Sequence, residues 1–365
     1  MKKDWEIKRL GDVCDIINGK NQKAVEDKNG LYPIYGSGGI MGYASDYLCR
    51  ENTTIIGRKG SINNPLYVEE KFWNVDTAFG FQSKDNYIPK LLFYFCKSLD
   101  FSTHNKGTTI PSLVKSDLLE IPIPVPSLEE QKRIVKILDE KFAQLESLKA
   151  TAQTNLQNAK DLFQSQLTKA FSNNTWEKKT IGDICILKSG NSSSNNSKPG
   201  NLPYVKVGDM TINGNEKTIT TSTLFVDYEE NKKNIFPKGT VIFPKRGGAI
   251  LTNKKRLTAV EICCDLNIMG VIPTDKILSE FLYYYFIGID FAELCNGAAI
   301  PQINNIDINP LTIPLPPLPE QKRIVKELDT LSEKVRQLQE IYTKQIANCD
   351  ELKQAYLQKA FEGEL

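Results

Sequence analysis

Histidine is almost missing from this chain. His104 is the single example in 365 residues, which removes catalytic triads that need a partner histidine, H-E-x-x-H metal sites and most zinc chemistry. His104 itself reads as a loop residue. Eight cysteines are present, none in a C-x-x-C pair. Cys14 and Cys185 fall inside apolar stretches, where a buried reduced thiol is expected rather than a disulfide or a metal ligand. No apolar run approaches the ~18 residues of a membrane span, and the opening MKKDWEIKRL lacks the apolar stretch of a secretory signal. No membrane partner is expected, and the expected location is the cytoplasm. Charge of one sign is lacking too: Lys plus Arg number 46 against 44 Asp plus Glu, so a nucleic-acid site must come from local clustering.

Signatures of catalysis are equally scarce. There is no Gly-x-Gly cofactor loop attached to an Asn-Pro-Pro-aromatic motif, no Walker A loop and no helicase signature. Glu-x-Lys triplets occur at Glu69 and Glu230, but a chain with 25% charged residues produces such triplets by chance, and neither has a persuasive upstream Pro-Asp. A catalytic site and a resident cofactor or metal are not expected.

What the chain does have is a long internal copy. IPVPSLEEQKRIVKILDEK begins at Ile123 and IPLPPLPEQKRIVKELDTL at Ile313, 190 positions later. The same offset relates LTKAF from Leu167 to LQKAF from Leu357, and GTTIPS from Gly107 to GAAIPQ from Gly297. WEIKRLGDVCDIINGK from Trp5 and WEKKTIGDICILKSGN from Trp176 match at the shorter offset of 171, so the second copy holds extra residues in its middle. The plan is domain, helix, domain, helix, with domains at residues 1–121 and 174–312 and spacer helices at 122–173 and 313–365.

Each helix announces its start. Ser127 followed by Glu130 has the spacing of a capping box, and Pro319 falls in a first turn where its missing donor costs nothing. The proline runs before both starts forbid helix and favour a stiff extended connector. Ile324, Leu328, Leu331, Val335, Leu338, Tyr342, Cys349, Leu352 and Tyr356 trace a heptad seam. Ile134, Leu138, Leu145, Leu148, Ala152, Ala159 and Leu162 follow in the first copy, interrupted by Lys141 and Asn155. At roughly 40 residues, or ~60 Å, the helices are expected to pack antiparallel as a coiled coil with approximate two-fold symmetry. Packing accounts for the repeated apolar positions, but not for the recurrence of Gln131, Lys132, Arg133 and Lys136 as Gln321, Lys322, Arg323 and Lys326. Identical exposed faces suggest two copies of one partner.

The domains share frames and differ inside. Strand-like runs TTIIG and NPLYVEE in the first, and PYVKVGD, GTVIFPK and LTAVEICC in the second, combine with the helix-like PKLLFYFCKSL and SEFLYYYFIGIDFAELC into an α+β class. Scaffold kept and loops changed is expected of two modules doing one job on different targets. GRKGSINN from Gly57 and PKRGGAILTNKKR from Pro244 put cations beside glycine and asparagine directly after a strand. These are ingredients for neutralising phosphate and reading base edges, which makes Arg58, Lys59, Ser61, Asn63, Asn64, Lys245, Arg246, Asn253, Lys254, Lys255 and Arg256 candidate DNA contacts. NGKNQK from Asn18 and SGNSSSNNSKPGN from Ser189 are polar loops at a second repeat-equivalent position, adding Lys20, Lys23 and Asn191.

These residues carry a resemblance. The doubled IPxPxLxEQKRIVxxLD, the LxKAF helix ends, and YPIYGSGGIMGY, IIGRKGSI, FWNVDTAF, LPYVKVGDM and IFPKRGGAI within the domains resemble the specificity subunit of a type I restriction-modification system. The match covers nearly the whole length. It implies two target-recognition domains, each reading one half of a split, asymmetric site on double-stranded DNA. It also implies paired helices that space the halves and dock two methyltransferase subunits and, through them, restriction subunits. Chemistry would then lie outside this chain, with S-adenosylmethionine on the methyltransferase and ATP and magnesium on the restriction subunit. A standalone two-headed DNA-binding or scaffold protein, or a specificity module of another restriction-modification type, is the alternative.

Overall fold

The computed structural model describes residues 5–192, 198, 200–295 and 301–365. It divides into two compact units. The first joins Met1–Thr154 to Tyr342–Leu365, and the second is Asn155–Ile341. The division cuts across both long helices, Leu128–Phe171 and Leu318–Glu362, rather than between helix and domain, because each globular core is completed by the start of one helix and the end of the other.

In the first unit, Cys14–Asn18, Ala78–Ser83, Thr53–Gly57 and Leu66–Val68 form an antiparallel four-stranded sheet in that spatial order. A second sheet sets Tyr32–Gly36 between Gly39–Ala44 and Trp73–Asn74. Helix Pro89–Ser98 packs Leu91, Leu92 and Phe95 into the core, together with Leu10, Phe79 and Phe81. Ile134 and Leu138 enter that core from the first long helix, and Leu357 and Ala360 from the second, all at most 1% exposed. The two helix segments therefore run antiparallel here, held further along by Lys149 to Asp350 at 2.6 Å and by a Lys353–Glu146 pair.

The second unit repeats the plan. Cys185–Ser189, Ile268–Pro273, Val241–Pro244, Arg256–Thr258 and Thr218–Ile219 form a five-stranded sheet, and Leu224–Val226, Leu202–Val205 and Cys263–Cys264 a three-stranded one. Helix Ser279–Ile287 occupies the place of Pro89–Ser98, with Leu167, Ile324 and Leu328 closing the core.

Several expectations are corrected. The proline runs are extended, as expected, but are paired strands rather than connectors alone: Pro122–Val125 pairs antiparallel with Glu6–Arg9, and Thr312–Pro314 with Lys178–Thr180. In a two-stranded ribbon alternate residues face the outer edge, so prolines at 122 and 124 lose only donors that had no partner strand. LTAVEICC is not one strand, since Leu257–Thr258 belong to the larger sheet and Cys263–Cys264 to the smaller. SEFLYYYFIGIDFAELC breaks at Gly288 into helices Ser279–Ile287 and Phe291–Leu294. The seam is thinner than heptads imply: Leu145, Ala152, Ala159, Val335 and Cys349 are buried, whereas Leu148, Leu162, Leu338 and Leu352 stay substantially exposed. All eight cysteines are free, and Cys14, buried in the first core, has its thiol pushed up to about 12 by desolvation.

Candidate nucleic-acid interface

Four loops meet at one end of the larger sheet in the first unit. The chain leaves strand Cys14–Asn18 through Gly19, whose N–H donates to Ala78 O, and Lys20, whose N–H donates to Asn74 O at 3.0 Å. A Cβ on Gly19 would lie 1.8 Å from Val75 O, so only glycine lets these backbones pass. Strand Thr53–Gly57 ends beside them. Arg58 and Lys59 both donate their N–H to Thr77 O, at 2.8 and 3.2 Å. The fourth loop closes over them, with Leu113 N–H donating to Arg58 O and Gly60 N–H to Pro111 O.

The second unit builds an equivalent platform. Gly190 donates to Ile268 O and Asn191 to Cys264 O, Lys245 donates to Asn267 O, Ile303 donates to Lys245 O, and Gly247 donates to Pro301 O. A Cβ on Gly190 would sit 2.0 Å from Asp265 O. The isolated bridges Lys59–Ser112 and Arg246–Gln302 match as well. Structural equivalence therefore pairs Arg58 with Lys245 and Lys59 with Arg246. Gly297–Ile300 of the repeated GxxIP segment lie outside the described residues, as do 193–197 and 199 of the polar Ser189–Asn201 loop.

The sequence-derived candidates sort into three groups. Lys20, Lys59 and Arg246 are exposed on these platforms, and Arg58 is partly exposed, with its guanidinium 3.5 Å from Asp76 O and over the Phe79 ring. Lys23, Ser61 and Asn64 are exposed on neighbouring turns. The rest are structural. Asn63 donates to Asp100 at 2.7 Å and accepts from Phe101 N. Lys245 is buried, its Nζ 2.7 Å from Ser189 Oγ, and desolvation lowers its pKa, helped by neighbouring Arg246. The main-chain oxygen of partly buried Asn191 accepts from the Tyr204 hydroxyl.

The Asn253–Arg256 run needs the plainest correction. Asn253 adopts a left-handed backbone (φ 54°) at the end of the short helix Gly247–Thr252. Lys255 is 1% exposed; its Nζ donates to Ile289 O and to Asn253 Oδ1 and lies 4.2 Å from the Phe291 ring centre. Arg256 donates to Met210 O, and burial lowers its pKa. Lys254 is partly exposed between them. Asn253, Lys255 and Arg256 fasten the loop to the domain; in sequence the run is indistinguishable from a surface patch.

The helix starts separate likewise. Gln131 and Gln321 are not surface residues. Gln131 Oε1 accepts from Ile88 N at 2.8 Å while Nε2 donates to Asn86 O and Pro126 O. Gln321 makes the same bonds with Leu278 N, Lys276 O and Pro316 O. Their recurrence is explained by folding: the amide caps helix Pro89–Ser98 or Ser279–Ile287 and ties it to the long helix. Lys132, Arg133, Lys136, Lys322, Arg323 and Lys326 are exposed. Arg133 is held by Glu130 at 2.7 Å, which raises its pKa, and also donates to Leu365 O; Arg323 is held by Glu320 and Glu327. Bidentate Glu-Arg pairing one turn apart fixes each guanidinium's direction.

Sequence reasoning missed the stretch from Asn74 to Thr77, whose carbonyls anchor Lys20 and Arg58. The signal was present in FWNVDTAF, read only as a landmark. The GxxIP segment was also read only as a frame marker, although Pro111 and Pro301 close the platforms.

Two α+β units thus carry one loop platform in duplicate, each with paired helix segments. The chain belongs to the type I restriction-modification DNA specificity family, whose model matches residues 2–157 and 173–346, and it is a type I specificity subunit by that membership. Among its relatives, the EcoDI specificity subunit of Escherichia coli is 24% identical, covering 99% of this chain and 89% of that one. The MjaIX specificity subunit of Methanocaldococcus jannaschii is 23% identical, covering 100% and 94%. The fold matches a chain from a solved structure describing complex assembly and conformational transition of the type I R-M system, with TM-score 0.82, 21% identity, and 100% and 99% of the two chains covered. It also matches the HsdS subunit of Thermoanaerobacter tengcongensis, with TM-score 0.58, 21% identity, and 100% and 98% covered. No described helix is long and apolar enough to cross a membrane, and no described cluster of His, Cys, Asp or Glu could hold a metal ion.

Proposed function

We propose that this chain selects DNA for a type I restriction-modification complex by reading a split, asymmetric site, one half with each loop platform. The observation that carries the reading is the duplicate platform itself. Equivalent main-chain hydrogen bonds hold the loops in both units, while the side chains they present differ: Arg58 and Lys59 reach solvent in one, and of the matched pair in the other Arg246 is exposed and Lys245 buried. Equal scaffolds with unequal surfaces suit two half-sites of different sequence. Exposed Lys20, Lys59 and Arg246 supply phosphate neutralisation, and the glycine-lined loops let the backbone approach the duplex.

Two methyltransferase subunits dock on the helix starts, at Lys132, Arg133 and Lys136 and at Lys322, Arg323 and Lys326, and restriction subunits join through them. The matching Glu-Arg pairs support equal docking faces, and the wet leucines at 148 and 352 in the first unit and 162 and 338 in the second offer apolar area beside them. Base flipping and methyl transfer belong to the methyltransferase. S-adenosylmethionine would be held there, and ATP and magnesium by the restriction subunit, so this chain contributes selection and placement. The complex works in the prokaryotic cytoplasm, on the chromosome and incoming DNA.

Single-molecule sequencing of DNA from cells expressing the methyltransferase with and without this chain tests the reading. A split, asymmetric methylated motif is expected only when the chain is present. Absence of any chain-dependent motif, with the complex assembled, would sink it.

A further inference from the structure

The first unit carries at its platform an element that the second builds differently. Tyr32–Gly36 and Gly39–Ala44 form a tight hairpin in which Gly36 pairs with Gly39, leaving Ser37 and Gly38 at the tip. The corresponding strands of the second unit, Leu202–Val205 and Leu224–Val226, are joined instead by a long connection containing the short helix Val207–Thr211.

The hairpin tip is seated against the cationic loop. A Cβ on Gly57 would meet Ser37 Cβ at 3.0 Å, and one on Gly60 would lie 4.0 Å from Ser37 Oγ. Behind the tip, Met41 Sδ lies over Gly36, 2.7 Å from where a Cβ would stand, with Val75 Cγ2 3.7 Å from the same point. Val75 begins the turn whose Thr77 holds Arg58 and Lys59. Hairpin and cations thus form one continuous surface.

On that surface two apolar side chains are left wet: Ile40 is 57% exposed and Met41 64%. Between them and the tip, Gly38 and Gly39 have no atom within 4 Å of an added Cβ, and Gly39 sits at φ +125°, where a side chain would be strained. A solvent-facing turn of a soluble domain is ordinarily polar. Bare backbone, two exposed apolar groups and flanking cations instead suit a surface that meets a polyanion with methyl groups in its groove. The major groove of B-DNA admits a two-stranded β-ribbon, and the C5-methyl of thymine is its apolar feature.

We infer that Ile40 and Met41 are specificity-determining residues that contact a thymine methyl in the half-site read by the first unit, selecting A·T at that position. The inference rests on the DNA-reading function proposed above. Glycine at 38 and 39 lets the tip reach the base edges, Arg58 and Lys59 hold the adjoining phosphates, and the different connection in the second unit confines the effect to one half-site.

The test uses the full chain assembled with its methyltransferase, on duplexes in which deoxyuridine replaces each thymine of the mapped site in turn, removing only a methyl group. The wild-type complex is expected to lose about fourfold in affinity at one position of the first half-site, the scale of one buried methyl. Met41→Ala with Ile40→Ala should bind the parent duplex more weakly and lose that sensitivity, leaving the second half-site and the methyltransferase content of the complex unchanged. Both side chains are exposed, so the variant is expected to fold. A wild-type complex indifferent to every substitution, a sensitivity that persists in the variant, or one that lies in the second half-site would overturn the inference while leaving the DNA-reading function standing. If the wild-type chain directs no methylated motif at all, both fall.

Discussion

Lys255 shows how much a single residue's setting matters. A lysine in a basic, asparagine-rich loop invites assignment to DNA, yet its ammonium is enclosed by Asn253, Ile289 O and the Phe291 ring. Burial there lowers its pKa from 10.5 to about 8. Below about pH 8 both folded and unfolded chains carry the proton. Between about 8 and 10.5 the unfolded chain holds it and the folded chain has released it, so the folded state gains stability as pH rises through that window. Lys255→Met has no such proton to exchange. Urea titrations at pH 7.5 and pH 10.5 should show wild type gaining on the order of 3 kcal/mol relative to the variant. An identical pH dependence in both proteins would mean the ammonium is hydrated after all. Gln131 and Gln321 teach the same lesson from the other side. Polar repetition looked like a shared partner, while three hydrogen bonds apiece make each amide a strut inside its own unit.

At the scale of elements, the helix starts are where folding and function divide the same motif. In EQKR the glutamine serves the fold, the glutamate aims the arginine, and the arginine faces outward. Reversing Arg133 and Arg323 to Glu leaves both clamps intact but sets like charges beside Glu130 and Glu320. The variant is expected to keep its far-ultraviolet spectrum and lose methyltransferase in co-purification by tenfold or more, on the order of two charge-assisted contacts. Undiminished co-purification would move docking elsewhere on the helices. The long helices themselves were legible from the sequence because periodicity over 44 and 45 residues is a strong local signal. The proline strands were not, because their partners Glu6–Arg9 and Lys178–Thr180 lie more than a hundred residues away, and pairing at that distance leaves no local pattern. Nor could periodicity show LTAVEICC passing from one sheet to another. Within the candidate site the exposed Lys20, Lys59 and Arg246 were legible as chemistry. The stretch from Asn74 to Thr77 that positions the first two of these was not, since it contributes main-chain carbonyls, which every residue has.

At the scale of the whole molecule, each core takes side chains from both long helices. Leu357 and Ala360 pack with Ile134 and Leu138 in the first unit, and Leu167 with Ile324 and Leu328 in the second. Leu357 is 1% exposed, and Leu357→Ala is expected to destabilise the first unit by about 2–5 kcal/mol. Hydrogen exchange should show faster opening of Ala78–Ser83 and Thr53–Gly57, with Ile268–Pro273 and Val241–Pro244 keeping their protection. Equal loss in both sheets would mean that the two units unfold as one. The same interleaving sets an order of events on the ribosome. Residues through Ile341 complete the second unit, while the first, begun earlier, still lacks Leu357 and Ala360. At ~5–20 residues per second, the ribosome needs about 10–40 s to go from Thr154 to Tyr342. During that interval Ile134 and Leu138 have no antiparallel partner, so the domain that is translated first is the last to close.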